Sequence, residues 1–372
     1  MNNTAFFPTS AETLPIAMYI NQYSTKYHIT TFLAFPGSGL CGKDIGRADN
    51  RGDIGIIVQD CFSGLPNDCT HLIVANLSEF STNETLLFTH VMTVIENALT
   101  AGKVVICSAK LNDQALAQLS YHPCFHNFTY LHDKVDELLY ANSNQLYKPS
   151  PYVVFFGTSF YETSTLSPFL SLHQELSKQY NVFSFSTSMN SVICDIPSIH
   201  SILYEQSLSE EEKVYAINSF LRLRTEEGMP DIIMVHISEP IMAYNDKITN
   251  GFGIIPFLIS KALQPDYFIC GIPVTHAFTN YIRAFSSGVL NQFGFAIDYI
   301  HIANVIIDPA VSLSQKNITA FTTFDDTDRQ KDMFCFDSEI PVDNLLIHSN
   351  LHDISTIISS ALCDQYRFKL LI

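Results

Sequence analysis

The chain has 372 residues, 47% hydrophobic and 15% charged, which excludes an intrinsically disordered protein and exceeds the roughly 250–300 residues at which one hydrophobic core stops growing. Its 20 lysines and arginines against 37 aspartates and glutamates give a formal charge of −17. That balance repels nucleic acid and anionic lipid, and beyond plain solubility it suits a basic peptide or a basic protein surface.

Nine cysteines with no CxxC pair read as reduced thiols, and neither a basic amino-terminal region nor an apolar run of about 18 residues is present, so a cytoplasmic protein is expected. Through the first 140 residues, strand patterns at 5–7, 28–35, 54–58, 71–75 and 103–107 alternate with helical patterns around 14–26, 82–100 and 112–120. The alternation predicts βα units on a small, doubly wound, largely parallel sheet, a first domain over 1–145. "ANSNQLYKPSP" (141–151) is polar, holds two prolines and reads as a linker.

The rhythm then restarts with a strand at 152–156, a helix at 164–179 and a strand at 181–186. A helix opens at Ser209 with an acidic first turn. "PDIIMVHI" (230–237) and "PDYFICGIP" (265–273) are near-continuous apolar runs, as in strands buried on both faces. A second α/β domain is therefore expected over 152–372, with a C-terminal extension from about Ser312 that includes a helix at 351–364.

"YVVFFGTSFYETS" has the layout of a phosphate-binding loop, strand to glycine to helix, but Glu162 stands where the second glycine belongs and Thr163 where the lysine belongs. A carboxylate beside a polyphosphate repels it, and threonine cannot supply the ammonium. Three readings follow: a turn with no ligand, a small anion or acid held at the helix N-terminus by Gly157, Thr158, Ser159, Ser164 and Thr165, or residual nucleotide chemistry.

"GSGLCG" (37–42) satisfies G-x-G-x-x-G yet follows the second strand and precedes no helical period, so a dinucleotide reading requires a helix there that the pattern does not support. The long loop that continues from it reads as a solvated connection or as a partner-contacting loop, through Gly42, Lys43, Asp44, Gly46, Arg47 and Asp49. His122, Cys124, His126 and His132 have no standard metal-ligand spacing; only an exposed strand would line up the first three, and no metal is expected. The stretch 235–253, which follows a buried strand, carries His236, Glu239 and Lys247, the candidate catalytic residues, where ligands sit beyond the carboxyl ends of strands.

On "VFFGTSFYETS", "VFSFSTSMNS", "PDIIMVHISEP" and "QPDYFICGIP", the stretch 152–308 resembles the C-terminal domain of the two-domain family that includes D-glutamate N-acetyltransferases. That resemblance implies a Rossmann-like first domain and a P-loop-like second. The chain departs from the enzyme pattern at both chemical elements, with "GTSFYETS" in place of G-T-D-C-x-x-G-K and "VHI" in place of V-E-G. On "GLCGKDIGRADNRGDIGI" (39–56), "FFGTSFYETS" and "PDIIMVHISEPIMAYNDKITNGFGI" (230–254), nearly the whole chain is similar to peptide maturation system proteins, which accompany radical-SAM maturases and bacteriocin-like precursor peptides. This resemblance implies a cytoplasmic accessory role, binding precursor or maturase, with no cofactor and with homo-oligomers open. The alternative is an N-acyltransferase or ligase-type enzyme acting on a small acidic metabolite in an inter-domain or P-loop-like cleft.

Overall fold

The computed structural model describes residues 1–10, 12–48, 53–77, 84–131, 146–161, 163, 165–315, 320–322 and 340–369. The chain divides into two compact units, the first made of 1–133 and 189–196, the second of 134–188 and 197–372.

The first unit runs β1 (Asn2–Phe7), α1 (Leu14–Tyr23), β2 (Tyr27–Ala34), β3 (Gln59–Asp60), β4 (His71–Val74), α2 (Glu84–Thr100), β5 (Val104–Cys107), α3 (Asp113–Ser120) and β6 (Phe128–Tyr130). All its ladders are parallel and the strand order is β3-β2-β1-β4-β5-β6, the order of a Rossmann-type doubly wound sheet. Phe7, Leu72, Val74 and Val105 share its core with Val91, Ile95 and Leu99 of α2. Residues 54–58 are not the expected strand. The Asp44 carboxylate accepts the amides of Ile54 and Gly55 at 2.8 and 2.6 Å, which withdraws those donors from a ladder and leaves one bridge, Asp44 to Ile57.

The second unit contains β7 (Tyr152–Thr158), α4 (Leu166–Leu176), β8 (Val182–Ser186), α5 (His200–Tyr204), α6 (Glu210–Gly228), β9 (Ile232–Pro240), α7 (Ile254–Ala262), β10 (Tyr267–Pro273) and α8 (Thr279–Phe293). It continues with β11 (Tyr299–Ala303), β12 (Val305–Ile307), α9 (Pro309–Gln315), β13 (Ala320–Thr322), β14 (Val342–Asp343) and α10 (His348–Lys369). Six strands form a parallel sheet in the order β14-β11-β10-β7-β9-β8, and β12 pairs antiparallel with β13. Every residue of β7 is buried, as a central strand covered on both faces requires. The acidic helix start is a capping box, with the Ser209 hydroxyl accepting the Glu212 amide and the Glu212 carboxylate accepting the Ser209 amide. Of the linker, 146–151 is described, and the Tyr147 backbone is held through both its N–H and C=O by the Asn218 side chain of α6. No helix among the described residues is long and apolar enough to cross a membrane.

The first unit is completed by a late stretch of chain whose 3₁₀ turn, Met189–Cys194, lies against α1. Asn190, buried, accepts the Asn76 amide on Oδ1 at 2.7 Å and donates from Nδ2 to the Asn76 carbonyl at 2.7 Å, and the Ser108 hydroxyl donates to the same Oδ1 at 3.1 Å. Asn76 and Ser108 follow β4 and β5 directly, so this side chain sits at the carboxyl end of the sheet, where a dinucleotide-binding sheet receives its ligand. An Asn190→Ala chain leaves the part-buried Asn76 amide without its partner and the Ser108 hydroxyl with the Val74 carbonyl at 3.4 Å alone. It is expected to lose on the order of 1–3 kcal/mol in urea unfolding, with the loss confined to the first unit in hydrogen exchange.

Candidate functional site

The second sheet reverses its winding between β7 and β10, neighbours whose onward connections lead to opposite edges, and the crevice outside their carboxyl ends is where such sheets bind ligands. The loop after β7 occupies this place with its own polar groups. The Thr158 hydroxyl lies 2.6 Å from the Phe160 carbonyl and 2.9 Å from that of Thr163, and it meets the Thr163 hydroxyl in a short hydrogen bond. The Thr163 hydroxyl in turn lies 2.8 Å from the Phe160 carbonyl and accepts the Phe160 amide at 3.3 Å. The Ser159 amide donates to the Gly271 carbonyl of β10 at 2.9 Å, and the Thr163 amide to the Phe160 carbonyl at 3.1 Å. Donors at 159, 160 and 163 that a phosphate cradle would offer to a ligand are therefore engaged within the protein.

Packing holds the loop in that state. Thr158, Ser159, Thr163 and Thr165 are all buried, Thr163 completely. A Cβ on Gly271 would meet Thr165 Cγ2 at 2.5 Å and the Thr163 carbonyl at 3.3 Å, so the glycine on β10 is what lets the loop lie on the strand. Gly157 likewise serves contact rather than phosphate approach, because a Cβ there would stand 2.7 Å from Ile241 Cδ1 and 2.9 Å from the Phe268 ring. Phe160 anchors the tip among Ile248, Ile307 and Tyr244, with the His276 ring 5.4 Å away. Two buried hydroxyls, Ser159 Oγ and Thr165 Oγ1, have no hydrogen-bond partner among the described residues. Thr165 is also the N-cap of α4, makes no capping bond, and no acidic residue follows in the first turn. Glu162 and Ser164 lie outside the described residues.

Beside the loop, the β7–β9 ladder passes from Phe156–His236 to Thr158–Pro240, so residues 237–239 stand opposite Gly157 alone. This bulge re-aims the strand end. Glu239, buried, accepts the Thr187 hydroxyl at 2.6 Å and the Tyr204 hydroxyl at 3.1 Å. Burial raises its carboxyl pKa, and the hydrogen bonds from Thr187 and Tyr204 only partly offset that. His236, three residues earlier, is enclosed between Ser186, 2.8 Å from Nδ1, and the Phe169 ring at 5.2 Å. Burial pushes its pKa down to about 3, so it is a neutral core residue at physiological pH.

Of the three expected catalytic side chains, the structure brings His236 and Glu239 to one strand end and leaves Lys247 exposed on a turn whose amides bond to Asn245. In the first unit, Asp44 holds the glycine-rich loop through the amides of Gly46, Ile54 and Gly55, which lower its pKa. Gly42 and Lys43 are exposed, Gly46 is buried, and Arg47 pairs with Asp53 at 3.0 Å on the surface; Asp49 lies outside the described residues. Gly37, Gly39 and Gly42 have positive φ in an irregular loop after β2, and the next regular element is the 3₁₀ turn Ile45–Arg47. No helix opens there, so the dinucleotide reading is not supported.

Residues 122–126 form a turn and the start of a 3₁₀ segment instead of the strand that would align His122, Cys124 and His126; His132 lies outside the described residues. His122 bonds locally, Nδ1 accepting the Cys124 amide and Nε2 meeting Thr100. A groove of about 450 Å³ lies elsewhere, between the end of α4 and α10, and is lined by Glu175, Tyr180, His352 and Ser359 among others. It is about 16 Å along the helix from the loop and shares none of its residues. Sequence reasoning missed the roles of Tyr204, Thr187 and Asn190; the last two lie in the quoted stretch "VFSFSTSMNS", but nothing in it assigns them a contact.

No protein-family model and no curated protein matches the sequence. Among solved structures, a DUF1611 family protein from Anabaena variabilis is similar with a TM-score of 0.53 at 10% identity, over 96% of this chain and 99% of that one. The likeness is one of fold. It extends over both units and brings no activity with it.

Thr163→Val keeps the shape of the side chain and removes the hydroxyl that Thr158 and the Phe160 amide use, so it is expected to cost on the order of 1–3 kcal/mol in denaturant unfolding. The pH dependence carries two signs. His236 and His301, pushed by burial to about 3 and about 4, stay neutral when folded but take a proton near 6.5 when unfolded. Their contribution is present above pH 6.5 and is lost as pH falls from there toward 4, which acid unfolding followed by circular dichroism will read. Glu239, raised, acts oppositely: its contribution is present at low pH and lost as pH rises through the raised value. Glu239→Gln should therefore be stabilised relative to the parent at neutral pH, with the advantage vanishing below about 4.5, the ordinary carboxyl value.

Proposed function

We propose that this chain is an accessory protein without catalysis of its own, which assists modification of a ribosomally made peptide by binding the precursor or its maturase. The observation that carries the reading is the loop after β7, whose amides bond to the protein and whose Thr163 is buried where a phosphate-binding loop presents a lysine. Opening it for a triphosphate would break three backbone hydrogen bonds and expose Phe160, with no cation of the loop's own to gain. The formal charge of −17 supports attraction of a basic partner, and the Asp44-stapled loop offers a surface of fixed shape with Lys43 and Arg47 exposed. A pull-down from cells that also express a neighbouring radical-SAM maturase and precursor peptide should recover at least one of them. Recovery of neither contradicts the reading.

A second reading, an enzyme acting on a small acidic metabolite, draws on the two hydroxyls Ser159 Oγ and Thr165 Oγ1, unpartnered among the described residues, at the N-terminus of α4, next to the strand that carries Glu239 near its end. Calorimetric titration with acidic amino acids and acetyl-CoA separates the two. Saturable heat that disappears in Thr165→Val supports the enzyme; flat traces remove it.

A further inference from the structure

Just before α7 the backbone makes a left-handed turn. Asn250, Gly251, Phe252 and Gly253 have φ of 48°, 62°, 55° and 68° in succession. Left-handed residues ordinarily occur singly, and a side chain as bulky as phenylalanine resists this region because its Cβ crowds the backbone. The turn is nevertheless firmly held. A Cβ on Gly253 would stand 1.9 Å from the Ile241 carbonyl oxygen just after β9, so only glycine lets the turn lie there. Asn250 Nδ2 donates to the Met242 carbonyl at 3.2 Å, the Phe252 amide to the Thr249 carbonyl at 2.7 Å, and Gln292 Nε2 of α8 to the Phe252 carbonyl at 3.4 Å.

The strained turn displays a ring to solvent. Phe252 is 61% exposed, and the face of α7 that follows is apolar as well, with Ile254 at 51% and Phe257, one turn on, at 38%. Phe293 of α8 backs Phe257, ring centroids 6.5 Å apart, and the Lys261 ammonium lies 4.5 Å from the Phe257 ring centre. Strain spent on exposing an aromatic is doubly unfavourable in an isolated chain and marks a surface that meets another. The same surface is an exception in charge. The chain has 37 aspartates and glutamates, yet none falls in 250–265 or in α8, where Lys261 and Arg283 are the only charged residues.

We infer that the Asn250–Gly253 turn and the exposed face of α7 form a two-fold interface with a second copy of this chain. In such a contact each patch meets itself, so every carboxylate within it approaches its own image. Two chains of charge −17 repel each other, and they meet with least repulsion where both faces lack acids. Phe252, Ile254 and Phe257 supply the apolar centre, with Lys261 beside Phe257 as part of a polar rim. An aromatic side chain buries roughly 150–250 Å², so at these exposures the three residues offer on the order of 300 Å² per copy. A standard interface takes roughly 800 Å² per partner, which makes this a reversible dimer of about micromolar dissociation constant.

Sedimentation velocity of the full chain between about 1 and 200 μM should show a dimer fraction that rises with concentration. Phe252→Asp brings carboxylates together across the two-fold axis and should weaken dimerisation at least about tenfold. Tyr121→Asp, the same change at an aromatic 87% exposed in the first unit, should leave it within about twofold. Phe252→Gly removes the ring and relieves the left-handed strain. It should weaken dimerisation and yet unfold, when monomeric, at a temperature no lower than the parent's, a combination that a merely structural phenylalanine would not give. A parent monomeric throughout, a dimer that Phe252→Asp or Phe252→Gly leaves unchanged, or equal losses in Phe252→Asp and Tyr121→Asp overturn the interface. A monomeric parent whose capture of maturase or precursor disappears in Phe252→Asp overturns the second copy as occupant and gives the face to that partner.

Discussion

The hydroxyl contact between Thr158 and Thr163 sets the character of the second unit. A loop between a central strand and the helix that follows it is the natural anion seat of a doubly wound fold, because backbone amides and the helix N-terminus converge there. Here the two threonines draw the loop into a tight knot. Phe160 then finds a core of its own among Ile248, Ile307 and Tyr244, and Gly271 leaves room for the knot to lie on β10. Each of these depends on the others: without the knot Phe160 would point elsewhere, and without Gly271 the loop would stand off the sheet.

A parallel arrangement closes the first unit. Its sheet has the strand order of a dinucleotide-binding fold, but the residues after β4 and β5 are read by Asn190 of the chain itself, and the glycine-rich loop is stapled by Asp44 after β2. Each unit thus keeps a doubly wound parallel sheet with backbone amides at its carboxyl end bonded within the chain, although Ser159 Oγ and Thr165 Oγ1 of the second have no partner among the described residues. Fold and function separate cleanly under these conditions, because the sheet is specified by buried apolar strands and the chemistry by a few loop residues that can be replaced at little cost to the sheet. The likeness in fold to a DUF1611 family protein at 10% identity fits that separation.

Much of the scaffold was legible in the sequence. β7, β9 and β10 read as buried strands because their residues face apolar layers on both sides and need no alternation, and α6 announced itself through Ser209 and Glu212. Residues 54–58 looked like a strand by composition, but the competing acceptor was Asp44, ten residues away, whose claim on the Ile54 and Gly55 amides no propensity records. Glu239 was visible as an acid at a strand end; that Thr187 and Tyr204 would meet it was not, since those contacts span 52 and 35 residues. His236 looked reactive by type, yet its neighbours Ser186 and Phe169 make it a core residue. Lys247 differs for the opposite reason: the Asn245 turn directs it to solvent.

Amide hydrogen exchange at Ser159, Phe160 and Thr163, with and without a magnesium nucleoside triphosphate, is the most direct test of the closed loop. The hydrogen bonds to Gly271, Thr163 and Phe160 predict slow exchange at all three amides that added nucleotide leaves unchanged. Fast exchange in the free protein, slowed at these amides when the nucleotide is present, would contradict it.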